Sequence, residues 1–392
     1  MRLIPFILWL TLFLSGLSVN AQQPELSSRA RFSVLTCGPG TDLYATFGHS
    51  AFRLQDPIVG IDWVYNYGTF DFHTPNFYLK FARGKLPYAL SKQKFENFLY
   101  TYQLERRWVK EQFLDLSVEE TNSLFVFLEN NNLPENRLYA YDFLFENCAT
   151  KIPEVLHRVL GDGLTSSYDH LSEPLTFRDL IQKNLRWNSW SSFGIDLALG
   201  SVIDREAKGA EYSFLPEYVY SQLQHSDLGK AVLVNRERDV LDLPSPKTSN
   251  YFTATPLFWM LMLLAMTIAI TWIDFRNGTR SRVLDFLLFF LTGTSGLIIA
   301  FLWFLTDHNS TVWNANLFWA FPMNLVVGFL MLFPVLTAKQ LQGYFRSLIV
   351  LLGIAVLLWL FTVQVFSYVL IPVWAALLLR YLYLISYFRP LP

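Results

Sequence analysis

Beyond residue 250 the apolar positions run together in long blocks; before it they recur with the short periods of strands and helices. A bilayer-spanning helix needs about 20 mostly apolar residues. Residues 250–274 hold one block that stays uncharged until Asp274, and residues 286–306 hold a second between Asp285 and Asp307. A third covers roughly 316–338. The uncharged stretch 347–379 is too long for one crossing and holds two, with a break near "VQVFSY". The pattern predicts an all-α domain of five transmembrane helices over 251–392.

The pattern before residue 250 is that of an α+β domain. "ARFSVLTC" predicts a strand closed by the turn "GPG", and "TDLYATFG" a short helix or turn. "SAFRLQD" and "IDWVYNYGTF" alternate across "PIVG", which predicts a hairpin. "KFENFLYTYQLE" and "SVEETNSLFVFLENN" predict helices, the second opening with a Ser117–Glu120 capping box. "LYAYDFLF" reads as a strand or an irregular approach. In "FENCATKIPEVL", Ile152, Val155, Leu156, Val159 and Leu160 make one helical face. Asn147 suits the N-cap, so Cys148 falls at the first helical position.

The first residues predict export. Arg2, the apolar "LIPFILWLTLFLSGL" and the small residues of "SVNAQQ" form a secretory signal over 1–21, cleaved after Ala21 or retained as an anchor. Residues 22–250 then form the exported domain, ending in the Pro/Ser-rich "VLDLPSPKTSN". Loop charges agree with five crossings. Arg276, Arg280 and Arg282, then Lys339 and Arg346, then Arg389 alternate with the Lys/Arg-free loop "TDHNSTVWNAN". That places the exported domain and the 307–316 loop outside the cytoplasmic membrane. Arg380 can snorkel toward the inner face from near a helix end.

Composition supports the membrane reading. The 392 residues are 52% hydrophobic and 16% charged, against about 25% charged in soluble domains. A net charge of −1 leaves no basic footprint for nucleic acid. Two cysteines, Cys37 and Cys148, can form one disulfide and no framework of them.

Cys148 raises the chemical question. A helix N-terminus stabilises a thiolate and offers N–H groups to an oxyanion. Histidine is the best-suited base near neutral pH. Of six histidines, His157 lies nine positions along the same helix, on the opposite face and about 13 Å away along the axis. His308 is in a membrane loop; His170 and His225 lie in polar, unpatterned contexts; His73 follows a strand. His49, in "FGHSAFR" at the head of a strand, is the strongest candidate. The plain alternatives are a packed histidine, a buried structural thiol and a Cys37–Cys148 disulfide.

A His on a first strand, a polar residue on the next, then Asn-Cys at a helix start resembles the circularly permuted branch of the papain-like NlpC/P60 superfamily. More closely, "LTCGPGTDLYATFGHSAFRL", "VYNYGTFDF", "ENCATKI", "TFRDLI", "FGIDLALGSVIDR", "FLPEY" and "DHNSTVWNANLFWAFP" resemble the Lnb family, the lipoprotein N-acyltransferases of Bacteroidota. The likeness covers nearly the whole chain. It implies a papain-like fold for residues 22–250, with Cys148 as nucleophile and His49 as base. It implies an inner-membrane enzyme with a periplasmic catalytic domain and no cofactor. An acyl chain would pass from a phospholipid, through a Cys148 thioester, to the N-terminal amine of a diacylated lipoprotein.

Other positions are weaker candidates. A hairpin about "PIVG" sets His49 against residues 66–68, so Asn66 can hold the imidazole; a one-residue slip would substitute Tyr65 or Tyr67. Arg53 could meet a lipid phosphate or form a salt bridge. Asp196 and Asp204 could orient a loop or bind an amine, and nothing in their spacing suggests a metal. His308, on the outer side, could touch a substrate at the bilayer surface. Two other readings stay open: a cell-wall cysteine peptidase or amidase, which would not need the membrane spans, and a disulfide-bonded membrane receptor or scaffold.

Overall fold

A computed structural model describes residues 25–171, 173–244 and 251–389. The predicted signal, 1–21, and the end of the Pro/Ser-rich linker, 245–250, lie outside the described residues. Six strands come first: β1 (Arg31–Cys37), β2 (His49–Asp56), β3 (Ile61–Thr69), β4 (Pro87–Lys94), β5 (Val109–Leu114) and β6 (Leu138–Ala140). β7 (Leu164–Ser166), β8 (Ser226–Leu228) and β9 (Ala231–Val232) make a small separate sheet. β10 (Val234–Leu241) returns to the edge of the first. The main sheet is antiparallel throughout, in the order β10-β5-β1-β2-β3-β4-β6.

Among the described residues seven α-helices accompany these strands: α1 (Phe77–Ala82), α2 (Phe95–Leu104), α3 (Val118–Asn131), α4 (Lys151–Leu160), α5 (Phe177–Lys183), α6 (Trp190–Ala198) and α7 (Pro216–Gln224). The expected capping box opens α3: Ser117 and Glu120 bond each other's backbone N–H. Strand alternation sorts the two faces of the sheet. Phe52, Leu54 and Tyr65 face one way and pack with Leu124 and Leu128 of α3 and Ile152 and Leu156 of α4. Leu35, Cys37, Ala51 and Val64 face the other way, under Phe98 and Tyr102 of α2. His49, two residues before Ala51, shares the α2 face and stands opposite Cys37.

The rest of the chain is helical: α8 (Pro256–Asn277), α9 (Arg282–Phe304), α10 (Met323–Leu330), α11 (Ala338–Leu360) and α12 (Leu370–Tyr387). Among the described residues four of these, α8, α9, α11 and α12, are long and apolar enough to cross a bilayer. The break between α11 and α12 falls over 361–369, where the uncharged run predicted it. The third apolar run differs from expectation, because it is not one continuous helix. It contains a 3-10 turn at Ala315–Phe318 and the eight-residue α10. Pro322 interrupts it, and the buried Asn314, Asn316 and Asn324 bond other elements rather than lipid. Irregular backbone at membrane depth is tolerated when protein encloses it. α9 encloses it closely: a Cβ on Gly296 would stand 1.9 Å from the Ala320 carbonyl oxygen.

Arg380 does not snorkel. It is fully buried and pairs with Asp274 of α8 at 2.8 Å and Asp285 of α9 at 2.6 Å. A cation in an apolar bundle is retained where carboxylates neutralise it. This one ties α12 to α8 and α9.

Candidate functional site

Cys148 lies at the end of the sheet, in a turn that precedes α4. The regular helix begins three residues later than the sequence suggested, at Lys151. Asn147 still caps the turn: its Oδ1 accepts from the Ala149 N–H at 2.8 Å and the Thr150 N–H at 2.9 Å. Its Nδ2 donates to the Phe143 and Phe214 carbonyls at 2.7 and 2.8 Å. So "FLPEY", where Phe214 lies, holds the turn that carries the cysteine. The same bonds occupy N–H groups that a bare helix start would offer to an oxyanion. The N–H groups directed at the Cys148 sulfur are those of Ser50 and of Cys148 itself.

His49 begins β2 and Asn66 lies on the neighbouring β3, on the same face of the sheet. His49 Nε2 and Asn66 Oδ1 are 2.5 Å apart. The ring is also hydrogen-bonded to Cys148, which leaves Nδ1 for the sulfur. An amide oxygen accepts only from an N–H, so Nε2 carries the proton and Nδ1 presents a lone pair to the thiol. Gly68 makes room for the pair. Its φ is +84°, and a Cβ there would come within 3.3 Å of Cys148 Cβ and 3.9 Å of His49 Cε1.

Burial pushes the Cys148 thiol up, but the His49 charge, the hydrogen bond to His49 and the two N–H groups together bring it below the ordinary thiol value. Burial pushes His49 down; the facing Cys148 thiolate and the bonds to Cys148 and Asn66 outweigh it and hold the imidazole above its ordinary value. Both shifts have one cause: each group stabilises the charged form of the other, which favours passage of the Cys148 proton to His49. Perturbed groups of this kind concentrate at reactive sites.

The three residues line a cavity of about 580 Å³. Its other walls are mainly apolar, among them Phe47, Phe70, Tyr88 and Phe143. Leu302 of α9 and His308 of the following loop also line it, so the cavity reaches from Cys148 to the end of a membrane-crossing helix. His308 packs against the 81–85 segment, with Nε2 3.2 Å from the Phe81 carbonyl.

The structure separates the remaining sequence candidates. Arg53 is on the His49 face but lies under α2, away from the cavity. It makes a bidentate pair with Asp62 at 2.7 and 2.8 Å, bonds Glu111 at 3.0 Å, and stacks over Phe95. Each of its three guanidinium nitrogens is already engaged by a carboxylate. Tyr65 points to the opposite face and donates to Glu129 at 2.6 Å; Tyr67, on that face too, donates to Asn131. His157 is exposed on α4, and His170 and His225 stack on each other at 4.1 Å. Cys37 and Cys148 are both free thiols. Burial pushes Cys37 up to about 12, against the lowering effects of the Arg107 charge and a bond to Tyr102. Asp196 and Asp204 both bind the buried Arg178, at 2.9 and 2.7 Å. "TFRDLI" is thereby tied to "FGIDLALGSVIDR". The outer membrane loop is tied to the same place, because Asn316 Nδ2 donates to the Asp196 carbonyl at 3.1 Å. Among the described residues no group of three or more His, Cys, Asp or Glu is placed to hold a metal.

Tyr141 and Arg107 are two of the cavity residues that the sequence did not single out. Tyr141, within the ambiguous "LYAYDFLF", stacks on Tyr88 at 4.1 Å. Burial, and next the negative charge at Cys148, keep its phenol well above the ordinary value, so it remains a donor. Arg107 is buried beside Glu105, donates to the Gly38 carbonyl at 2.7 Å, and is the one Lys or Arg on the cavity wall among the described residues. The tyrosine's spacing seven residues before the cysteine was the available signal; for Arg107 there was none.

Fold and site define a membrane-anchored α/β protein with a cysteine–histidine–asparagine constellation in a cavity that extends to its membrane helices. Residues 24–183 match the family described as Lnb N-terminal periplasmic domain, and residues 247–389 match the Lnb transmembrane domain. The chain belongs to the Lnb family. No curated protein and no solved structure matches it. The two matched domains point to an inner-membrane protein with a periplasmic domain.

Proposed function

We propose that this protein is an apolipoprotein N-acyltransferase with a permuted papain-like catalytic domain. One observation carries the reading: Cys148, hydrogen-bonded to His49, and the end of a membrane-length helix line one apolar cavity. A peptidase of the cell wall would work in a polar groove with no need of that connection.

His49 Nδ1 takes the Cys148 proton, and the thiolate attacks an ester carbonyl of a phospholipid. The Cys148 amide and the Tyr141 hydroxyl are the donors offered to the oxyanion. The ester C–O bond breaks, the lysophospholipid oxygen takes the proton back from His49, and an acyl thioester remains on Cys148. The α-amine of a diacylglyceryl-cysteine then attacks the thioester. His49 receives the amine proton, the C–S bond breaks, and the proton returns to sulfur. No cofactor is required. The apolar walls hold the acyl chain and limit water, which favours transfer over hydrolysis.

We also infer five crossings. The broken third run starts at Asn316, bonded to the periplasmic Asp196, and reaches Met331, whose carbonyl accepts from Arg280 at 2.9 Å in the loop between α8 and α9. That carries the chain from one end of the bundle to the other and leaves Arg389 on the cytoplasmic side.

Mass spectrometry of lipoprotein N-terminal peptides tests the activity. Cells relying on this chain give triacylated peptides, and cells with Cys148→Ala give diacylated ones. Triacylated peptides at the wild-type level in the variant would overturn the reading.

A further inference from the structure

We infer that residues 70–84 form an interfacial element, lying in the headgroup layer of the periplasmic leaflet. The segment begins "FDFHTPNFYLKF" and carries five aromatic rings in those twelve residues. Phe70, Phe72 and Phe77 contact one another, with centroids 4.9–5.8 Å apart. Yet α1 has no buried residue, and it starts at Asn76 with φ +57° and no side-chain cap. Tyr78 is 81% exposed and Phe72 67%; Leu79 and Phe81 are more than half exposed. A six-residue helix is marginal in water by itself. Monomeric soluble surfaces rarely show contiguous apolar patches of this kind. An apolar medium must cover this one.

Its position identifies the medium as lipid. The segment is docked on the loop that follows α9. The Arg83 carbonyl accepts from the Asp307 N–H at 2.9 Å, and Lys85 pairs with Asp307 at 3.5 Å. Phe304 and Leu305, where α9 leaves the bilayer, are equally exposed. The aromatic patch therefore continues a lipid-facing surface. Its charges fit the same layer. Lys80 and Arg83 outnumber Asp71, and neither has an ion pair among the described residues. Aromatic rings with basic neighbours favour the membrane–water interface, and the cations favour anionic headgroups. Phe70, Phe81 and Gly84 meanwhile line the cavity of Cys148. A lipid lying beside α1 can thus enter past Phe81 without crossing open water.

The test uses the full chain in lipid nanodiscs. Cys148→Ala/Tyr78→Cys carries an environment-sensitive fluorophore at position 78; Cys37 is buried and stays unlabelled. Quenching by lipids with a nitroxide high on the acyl chain, and protection from aqueous iodide, is the expected result. Iodide quenching without lipid quenching overturns the proposal. Protection from both overturns it in favour of a protein cover. A second arm rests on the acyl-transfer reading. Phe72→Asp/Tyr78→Asp/Leu79→Asp should lower use of a bilayer-embedded donor about tenfold. A short-chain donor below its micelle concentration, and alkylation of Cys148, should change less than about twofold. Equal losses with both donors overturn the entry role. If wild type uses neither donor, the acyl-transfer reading fails while the depth measurement still decides the placement.

Discussion

His49 Nε2 lies 2.5 Å from Asn66 Oδ1, one strand over, and that contact decides which ring nitrogen faces Cys148. Asn66 can only accept from a protonated Nε2, so it selects the tautomer whose Nδ1 is free to take the thiol proton. Asn66→Ala removes the selection and lets the ring turn. The rate of Cys148 alkylation at neutral pH should fall by about tenfold, equivalent to ~1.4 kcal/mol. Thermal unfolding should barely move, because Asn66 is only half-buried. Loss of stability with an unchanged alkylation rate would mean that Asn66 is merely structural.

The Cys148–His49 pair also sets a pH dependence. Cys148 is held below the ordinary thiol value, so its thiolate forms as pH rises through a midpoint lower than that of a free thiol. In His49→Ala the lowering charge and hydrogen bond are gone while burial still pushes up, so the midpoint must move upward. Iodoacetamide alkylation followed from pH 5 to 10 reads this directly. At neutral pH, acyl transfer in the variant should drop by roughly 10²–10⁴-fold, the usual worth of a general base. An alkylation midpoint unaffected by His49→Ala would remove His49 from the site.

Cys37 gives a different expectation. It is 1% exposed and pushed up to about 12, so it is protonated and inaccessible in the folded chain. The native protein should take up one equivalent of maleimide without prior reduction, all of it on Cys148. A second equivalent should appear only on unfolding. Peptide mapping of the label checks both; two unreactive cysteines that a reductant releases would restore the disulfide.

Strand alternation made much of this site legible. The "PIVG" hairpin put Asn66 near His49, but a one-residue slip left Tyr65 and Tyr67 open as alternatives, and only the observed register puts both tyrosines on the other face. Helical periodicity alone removed His157. Arg53 shows where pattern reasoning stops. It shares the His49 face, but position along the strand decides its neighbours, and Glu111 comes from β5, which no local signal linked to it. The same holds for Arg178, whose partners lie 18 and 26 residues away. The uncharged runs placed four long membrane helices correctly. The break in the third run was not legible, because hydrophobicity does not distinguish a lipid-facing helix from a broken segment enclosed by other helices. Its two asparagines, Asn316 and Asn324, and Pro322 were the visible warning.

Arg53 is therefore expected to matter for folding and not for lipid. Removing it leaves Glu111, 0% exposed, with only the partly exposed Arg238 at 2.6 Å and the Ser33 hydroxyl at 2.6 Å as partners. Loss of the charged hydrogen bonds costs about 1.5–3 kcal/mol. Arg53→Ala should unfold at clearly lower temperature in detergent, and adding Glu111→Gln should recover part of the loss. In protein kept folded at low temperature, Cys148 alkylation should be unaltered. Normal stability combined with a raised KM for phospholipid would return Arg53 to the substrate.

The broken third run makes a matched prediction with two glycines. Gly296 on α9 faces the interrupted segment, and an added Cβ would lie 1.9 Å from the Ala320 oxygen and 2.9 Å from Pro322 N. Backbone on both sides leaves nothing flexible to yield, so Gly296→Ala forces the helix and the segment apart at a cost of about 1–3 kcal/mol. Gly353 on α11 has nothing within 4 Å of the same added atom. There alanine only improves helix propensity, a change of about 1 kcal/mol or less in the stabilising direction. Thermal unfolding in one detergent should rank Gly353→Ala at or above wild type and Gly296→Ala below it. If the two substitutions behave alike, the segment does not pack against α9 in this way, and the argument for a protein-enclosed crossing there fails with it.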